Sequence, residues 1–214
     1  MPQILCLSLA LAADPTVDTP GEYIARGEQR FRDNNIAGSL SDFDRAAELD
    51  PRSAPHLWQR GISHYYAGRY DDGRRQFETH KAVNPHDVEN AAWHFLCVAK
   101  KNGLDAARKA LIEIDTARDT RVPMAELYEL YAGRGTAEAV LKAAETAGTE
   151  PARMYAHLYL GLYYEVTGDA EKSKKHMRLS AAAKLENVYM HEVARIHLQQ
   201  RGWQDAQATP KQQN

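Results

Sequence analysis

Three residue types recur along this chain at a single offset. Gly27 and Gly61, Phe43 and Phe77, and Pro51 and Pro85 are each 34 residues apart. A shared offset of this length marks a repeated unit that is too small to bury its own apolar face and must stack on its neighbours.

The intervening positions follow the same register. The first unit reads Tyr23, Arg26-Gly27, Arg30, Ser39, Phe43 and Pro51, and the second reads Leu57, Arg60-Gly61, His64, Gly73, Phe77 and Pro85. A later unit reads His157, Leu160-Gly161, Tyr164, Ser173 and Met177, with Gly168 standing where Gly68 stands in the second. The length and the order of small, bulky and proline slots resemble the tetratricopeptide repeat. Each slot has a packing reason. The glycine lets one helix approach the next, the small residue on the second helix does the same from its side, and the aromatic fills the gap between them. The proline stops the second helix.

Two further hairpins fit between these units. VENAAWHFLCVAKKNGLDAARKALIEI turns at Asn102-Gly103 and puts Ala107 and Leu111 in the small and bulky slots, while PMAELYELYAGRGTAEAVLKAAETAG turns at Gly133 to Gly135. Both have lost the glycine and phenylalanine markers. Residues 187–202 read as one amphipathic helix that caps the array, and 203–214 as a disordered tail with nothing to bury. The expected fold is all-α: a right-handed solenoid over 20–202, with about five hairpins near 20–53, 54–87, 88–120, 121–150 and 153–186, and a cap at 187–202.

Composition narrows the function classes. A formal net charge of -2 over 214 residues gives no reason to expect nucleic acid as a partner. Two cysteines, Cys6 and Cys97, are too few for a disulfide framework, and Cys97 lies in an apolar helical run that suits an inert buried thiol. Residues 1–13 hold an apolar run, Ile4 to Ala13, ending in a small-residue pattern. They resemble the hydrophobic half and cleavage site of a secretory signal, although no Lys or Arg precedes them. The chain is therefore read as exported to the periplasm or cell envelope, against the alternative of a cytoplasmic protein with a frayed apolar terminus.

No motif in the chain supports catalysis. HEVAR at 191–195 begins like a zinc-protease helix, but Arg195 stands where the second histidine belongs. There is no phosphate loop and no nucleophile elbow. His94, between Trp93 and Phe95, suits a core or groove histidine. Asp71 and Asp72 sit at a helix start, where they complement the macrodipole. The expectation is a non-enzyme with no metal and no cofactor.

If each unit is numbered from seven residues before its glycine, slots 2, 5, 9, 12 and 13 of the first helix face the groove. In the second unit these are Pro55, Trp58, Ile62, Tyr65 and Tyr66. The candidate partner-binding patch is Trp58, Ile62, Tyr65 and Tyr66, flanked by Phe31, Arg32, Lys100 and, further along, Tyr155. Aromatic and arginine residues of this kind anchor protein and peptide partners. The pair Tyr163 and Tyr164 falls outside these slots and reads as packing. Slots 5 and 9 hold Ile24 and Glu28, Trp58 and Ile62, and Ala92 and Leu96, so no clamp for a C-terminal carboxylate is available.

The order of intact and eroded repeats between about 55 and 200 resembles the bacterial envelope lipoproteins with tetratricopeptide repeats that act as adaptors for murein hydrolases. That resemblance implies a homodimeric, non-catalytic scaffold docking peptidoglycan hydrolases and a periplasmic protease. Cys6 is followed by Leu7 rather than by a lipid-attachment box, so no membrane anchor is evident. The expected function is a protein-protein adaptor binding a peptide or protein in its groove. The alternative is a self-assembling module whose groove is buried by a second copy or by its own C-terminal helix.

Overall fold

The computed structural model describes residues 18–204, and among these every regular element is helical. The proposed signal at 1–13, with Cys6, and the tail from 205 onward lie outside the described residues. The chain forms α1 (Pro20–Arg32), α2 (Ile36–Leu49), α3 (Trp58–Tyr66), α4 (Tyr70–His80), α5 (Val88–Asn102), α6 (Leu104–Lys109), α7 (Met124–Tyr131), α8 (Ala137–Ala147), α9 (Glu150–Thr167), α10 (Ala170–Ala181) and α11 (Tyr189–Gln200). Short 3-10 segments at Pro51–His56 and Thr116–Arg118 join some of them.

Helices are started by side chains that accept from otherwise orphaned amides. Thr19 and Glu22 form a reciprocal capping box at α1, and Asn35, Asp87, Thr136, Thr149 and Asp169 cap α2, α5, α8, α9 and α10. Consecutive helices pack in pairs, α1 on α2, α3 on α4, α5 on α6, α7 on α8 and α9 on α10.

Within the pairs, the residues at the 34-residue offset meet one another. A methyl group added at Gly61 would come 2.5 Å from Phe77 Cζ, and one at Gly27 would come 3.2 Å from Phe43 Cε1. At Gly161 it would approach Met177 to 2.9 Å. The small residue on the partner helix sits equally close in the last pair, where the Ser173 hydroxyl donates to the Gly161 carbonyl at 2.8 Å, and Ser39 of α2 meets Ser63 of α3 across successive pairs in a 3.0 Å hydroxyl contact. Polar contacts repeat as well. Arg26 grips the buried Asp42 through two bonds of 2.9 and 2.7 Å, and Arg60, 34 residues on, reaches Gln76 at 3.0 Å. Cys97 is fully buried against Gly73, and that burial pushes its thiol well above the ordinary range, which keeps it protonated and inert.

After α10 the chain does not simply stop on its nearest neighbours. α11 packs on α10 and α9 and also touches α1, so the last helix reaches the first. Gln200 donates to Asn34 Oδ1 at 2.6 Å across that join. Trp203 follows α11 back onto the His197 ring, and its carbonyl accepts from Arg178 at 3.2 Å. No helix among the described residues is long and apolar enough to cross a membrane.

Candidate functional site

The predicted aromatic patch is assembled, but it is not open. Phe31, Ile62, Tyr65 and Tyr66 are all buried; α11 lies over Phe31 and Tyr66, while Trp93 of α5 and Glu165 of α9 close over Tyr65. Tyr189 stacks on Phe31 at 5.2 Å and meets Trp58 edge-on at 5.0 Å, with the Arg32 guanidinium 5.9 Å from its ring. The Tyr66 hydroxyl is 3.1 Å from His197 Nδ1.

Tyr65 donates to Glu165 at 2.7 Å, and Arg201 binds the other oxygen at 2.6 Å, with Lys100 3.6 Å away. Burial works against the Glu165 carboxylate. Nearby His197, Arg201 and the Tyr65 hydroxyl outweigh it and hold that group below its ordinary range. The physical reason for the difference from an open patch is plain: these rings expose enough apolar surface to recruit the chain's own amphipathic helix. Tyr163 and Tyr164 pack against Tyr131 and His176, in agreement with their slots. His94 is buried, 3.3 Å from Glu78, and burial lowers its basicity.

Beside the covered patch, a cavity of about 450 Å³ remains between α4, α5, α9 and the segment 187–190 that leads into α11. Trp58 and Tyr155, two of the eight predicted residues, line it, as do Trp93, Tyr189, Asn84 and Asn90. Both predicted residues are half-buried.

One wall of the cavity is charged. Arg121, on the loop before α7, binds Asp119 through two bonds of 2.8 and 2.6 Å, Asp87 at 2.5 Å, and Glu89 through a further bond. Glu89 also accepts from the Tyr159 hydroxyl at 2.6 Å. Burial pushes the Glu89 carboxyl up to about 7; repulsion from Asp87 adds to this, and the Arg121 charge only partly opposes it. Burial opposes the Arg121 charge too, but the bonds to Asp119 and the charges of Glu89 and Asp87 prevail and raise its pKa. His80 Nε2 lies 3.9 Å from Asp87 Oδ2, and its Nδ1 is held by the Pro55 carbonyl at 2.8 Å.

Three cavity-lining residues carry buried polar atoms with no partner among the described residues: Asn90 Oδ1, Trp93 Nε1 and the Tyr189 hydroxyl. The Asn90 amide nitrogen is satisfied by the Phe77 carbonyl at 3.0 Å, which leaves its oxygen over. An unsatisfied buried group costs about 1–3 kcal/mol, so such atoms are rare without a use.

Glu89 sets a pH dependence. Its pKa is 4.5 as a free group and about 7 in the fold, so the folded chain holds this proton more tightly than the unfolded chain does. Its contribution to stability is complete below pH 4.5 and is lost as pH rises through 7. Denaturation in urea at pH 5 and pH 8 should therefore show a smaller pH-dependent loss for Glu89→Gln than for wild type. An identical loss in both proteins would remove Glu89 as its source.

The sequence reading missed this cluster, although a signal was present. Glu89 lies 34 residues after Pro55 and occupies the same second slot as Tyr155, and Arg121 lies 34 residues after Asp87. No known protein-family model matches this chain.

Proposed function

We propose that this chain is a tetratricopeptide-type solenoid working as a non-catalytic adaptor, which takes a segment of a partner protein into the cavity lined by Trp58, Trp93 and Tyr155. The observation that carries this reading is the cavity itself. It combines aromatic walls with a few polar groups, three of which have no internal partner among the described residues, the usual chemistry of a recognition pocket. Recurrence of the glycine and phenylalanine contacts at the 34-residue offset supports the solenoid. Envelope hydrolases and proteases are the partner class that the resemblance implies, and export the corresponding location.

A second reading rests on a different observation. Because α11 covers Phe31 and Tyr66, that part of the aromatic face serves the chain's own architecture, and a self-assembling structural module remains the competing role.

Asn84 separates the two. It is exposed, it lines the cavity, and a tryptophan in its place fills the opening without removing a core contact. The full chain should capture partner proteins from an envelope extract, and Asn84→Trp, with unchanged helical circular dichroism, should lose them. Partners retained by Asn84→Trp would rule out the cavity, and recovery of the chain alone would favour self-assembly.

A further inference from the structure

The charge balance of the cavity wall is incomplete. Three carboxylates, Asp87, Glu89 and Asp119, share the single guanidinium of Arg121. Asp119 is fully engaged: both its oxygens bind Arg121, and one also accepts from the Val88 amide at 3.1 Å. Glu89 has one oxygen on Arg121 and the other on Tyr159.

Asp87 is different. Its Oδ1 accepts from the Glu89 amide and from Arg121, but its Oδ2 has no hydrogen-bond donor among the described residues and sees only the His80 ring at 3.9 Å. Asp87 keeps 14 % of its side chain exposed and lines the cavity. A second, independent feature agrees: Asn90, 4 % exposed and lining the same cavity, also has an acceptor oxygen with no donor. One buried acceptor without a donor, Asn90 Oδ1, and one solvent-facing carboxylate oxygen with no protein donor, Asp87 Oδ2, beside an excess of negative charge, suit a ligand that brings N–H groups and positive charge.

Deepening the adaptor reading on which it rests, we infer that the cavity takes the cationic side chain of an arginine or lysine in the partner segment. Its N–H groups donate to Asp87 Oδ2 and, after a small adjustment of the Asn90 side chain, to Asn90 Oδ1. Trp58 and Tyr155 suit the aliphatic stem and the charge, since an aromatic ring attracts a cation over its face. An acidic or carboxylate-terminated segment fits poorly, because it would add negative charge to a wall that already carries more carboxylates than cations.

The test uses the full chain and the probe acetyl-Gly-Gly-Arg-Gly-Gly-amide, with binding followed by calorimetry at pH 7.5. The matched control replaces arginine by citrulline, which keeps the shape and most donors but removes the charge. Citrulline should bind at least tenfold more weakly. Asp87→Asn should weaken the arginine peptide more than the citrulline peptide and so reduce that difference to less than threefold, whereas a general loss of packing would weaken both alike and leave the ratio unchanged. If the two peptides bind wild type equally, the cationic assignment is overturned while peptide binding survives. If neither binds, the assignment is overturned, and the adaptor reading is then decided separately by the Asn84→Trp capture experiment.

Discussion

Tyr189→Ala should lower the stability of the chain by about 3 kcal/mol and release α11 from α1 and α3. The ring stacks on Phe31 and meets Trp58 edge-on, so truncation removes two aromatic contacts and opens a void over a face that is otherwise buried. Large aromatic-to-alanine changes in cores cost about 3–5 kcal/mol, and the low end applies because Tyr189 is only half-buried. Urea denaturation gives the energy, and hydrogen exchange shows where it is lost. Amides of α11 should exchange early in the variant while those of α5 keep their protection. A loss below about 1 kcal/mol with α11 still protected would show that the helix is held elsewhere, by Glu165 with Arg201 or by Gln200 with Asn34.

The second large effect concerns Gly61. Alanine is a better helix former than glycine by about 1 kcal/mol, so on propensity alone Gly61→Ala should stabilise α3. Sterics point the other way, because the new methyl group would sit 2.5 Å from Phe77 Cζ and within 3 Å of two further ring atoms. Phe77 is buried and stacked on Trp93, so it has nowhere to move. Overpacking of this kind costs about 1–3 kcal/mol, and we expect a net loss of about 2 kcal/mol. At Gly27 the nearest ring atom is 3.2 Å away, a contact that a shift of a few tenths of an ångström relieves, so Gly27→Ala should be nearly neutral. Equal effects at the two sites would refute this account. Since Phe77 and Trp93 also line the cavity, Gly61→Ala should weaken the arginine peptide as well.

These two sites show what could be read from the sequence. Gly61 and Phe77 announce their contact, because a close helix approach requires a particular residue type on each side and the requirement recurs after 34 residues. In the helix pairs that lost those markers the turns remained legible through Gly103 and Gly133, which adopt the positive φ that a turn favours and other residues avoid, whereas α6 stops at Lys109, short of the bulky slot expected at Leu111. The fate of the aromatic patch was harder to read. Slot arithmetic brings Phe31, Trp58, Ile62, Tyr65 and Tyr66 to one face, but which surface covers that face depends on where α11 travels, a matter of tertiary reach with no local signature. The carboxylate cluster was missed for another reason. Asp87 caps α5 and was explicable by that role alone, yet the same side chain also binds Arg121 from a loop one repeat length away. A residue with one adequate local explanation can hold a second job that only the assembled fold discloses.

The contact between the last helix and the first changes how the molecule should come apart. A row of helix pairs in which each touches only its neighbours melts from its ends inward, one unit at a time, because terminal units have half the contacts. Here the bond from Gln200 to Asn34 spans 166 residues, and the Phe31 to Tyr189 stack joins the same two ends. Neither terminus of the array is then free to fray, and opening one end exposes the other. The whole length should therefore unfold in a single all-or-none transition, with a slower search for the closing contact during folding.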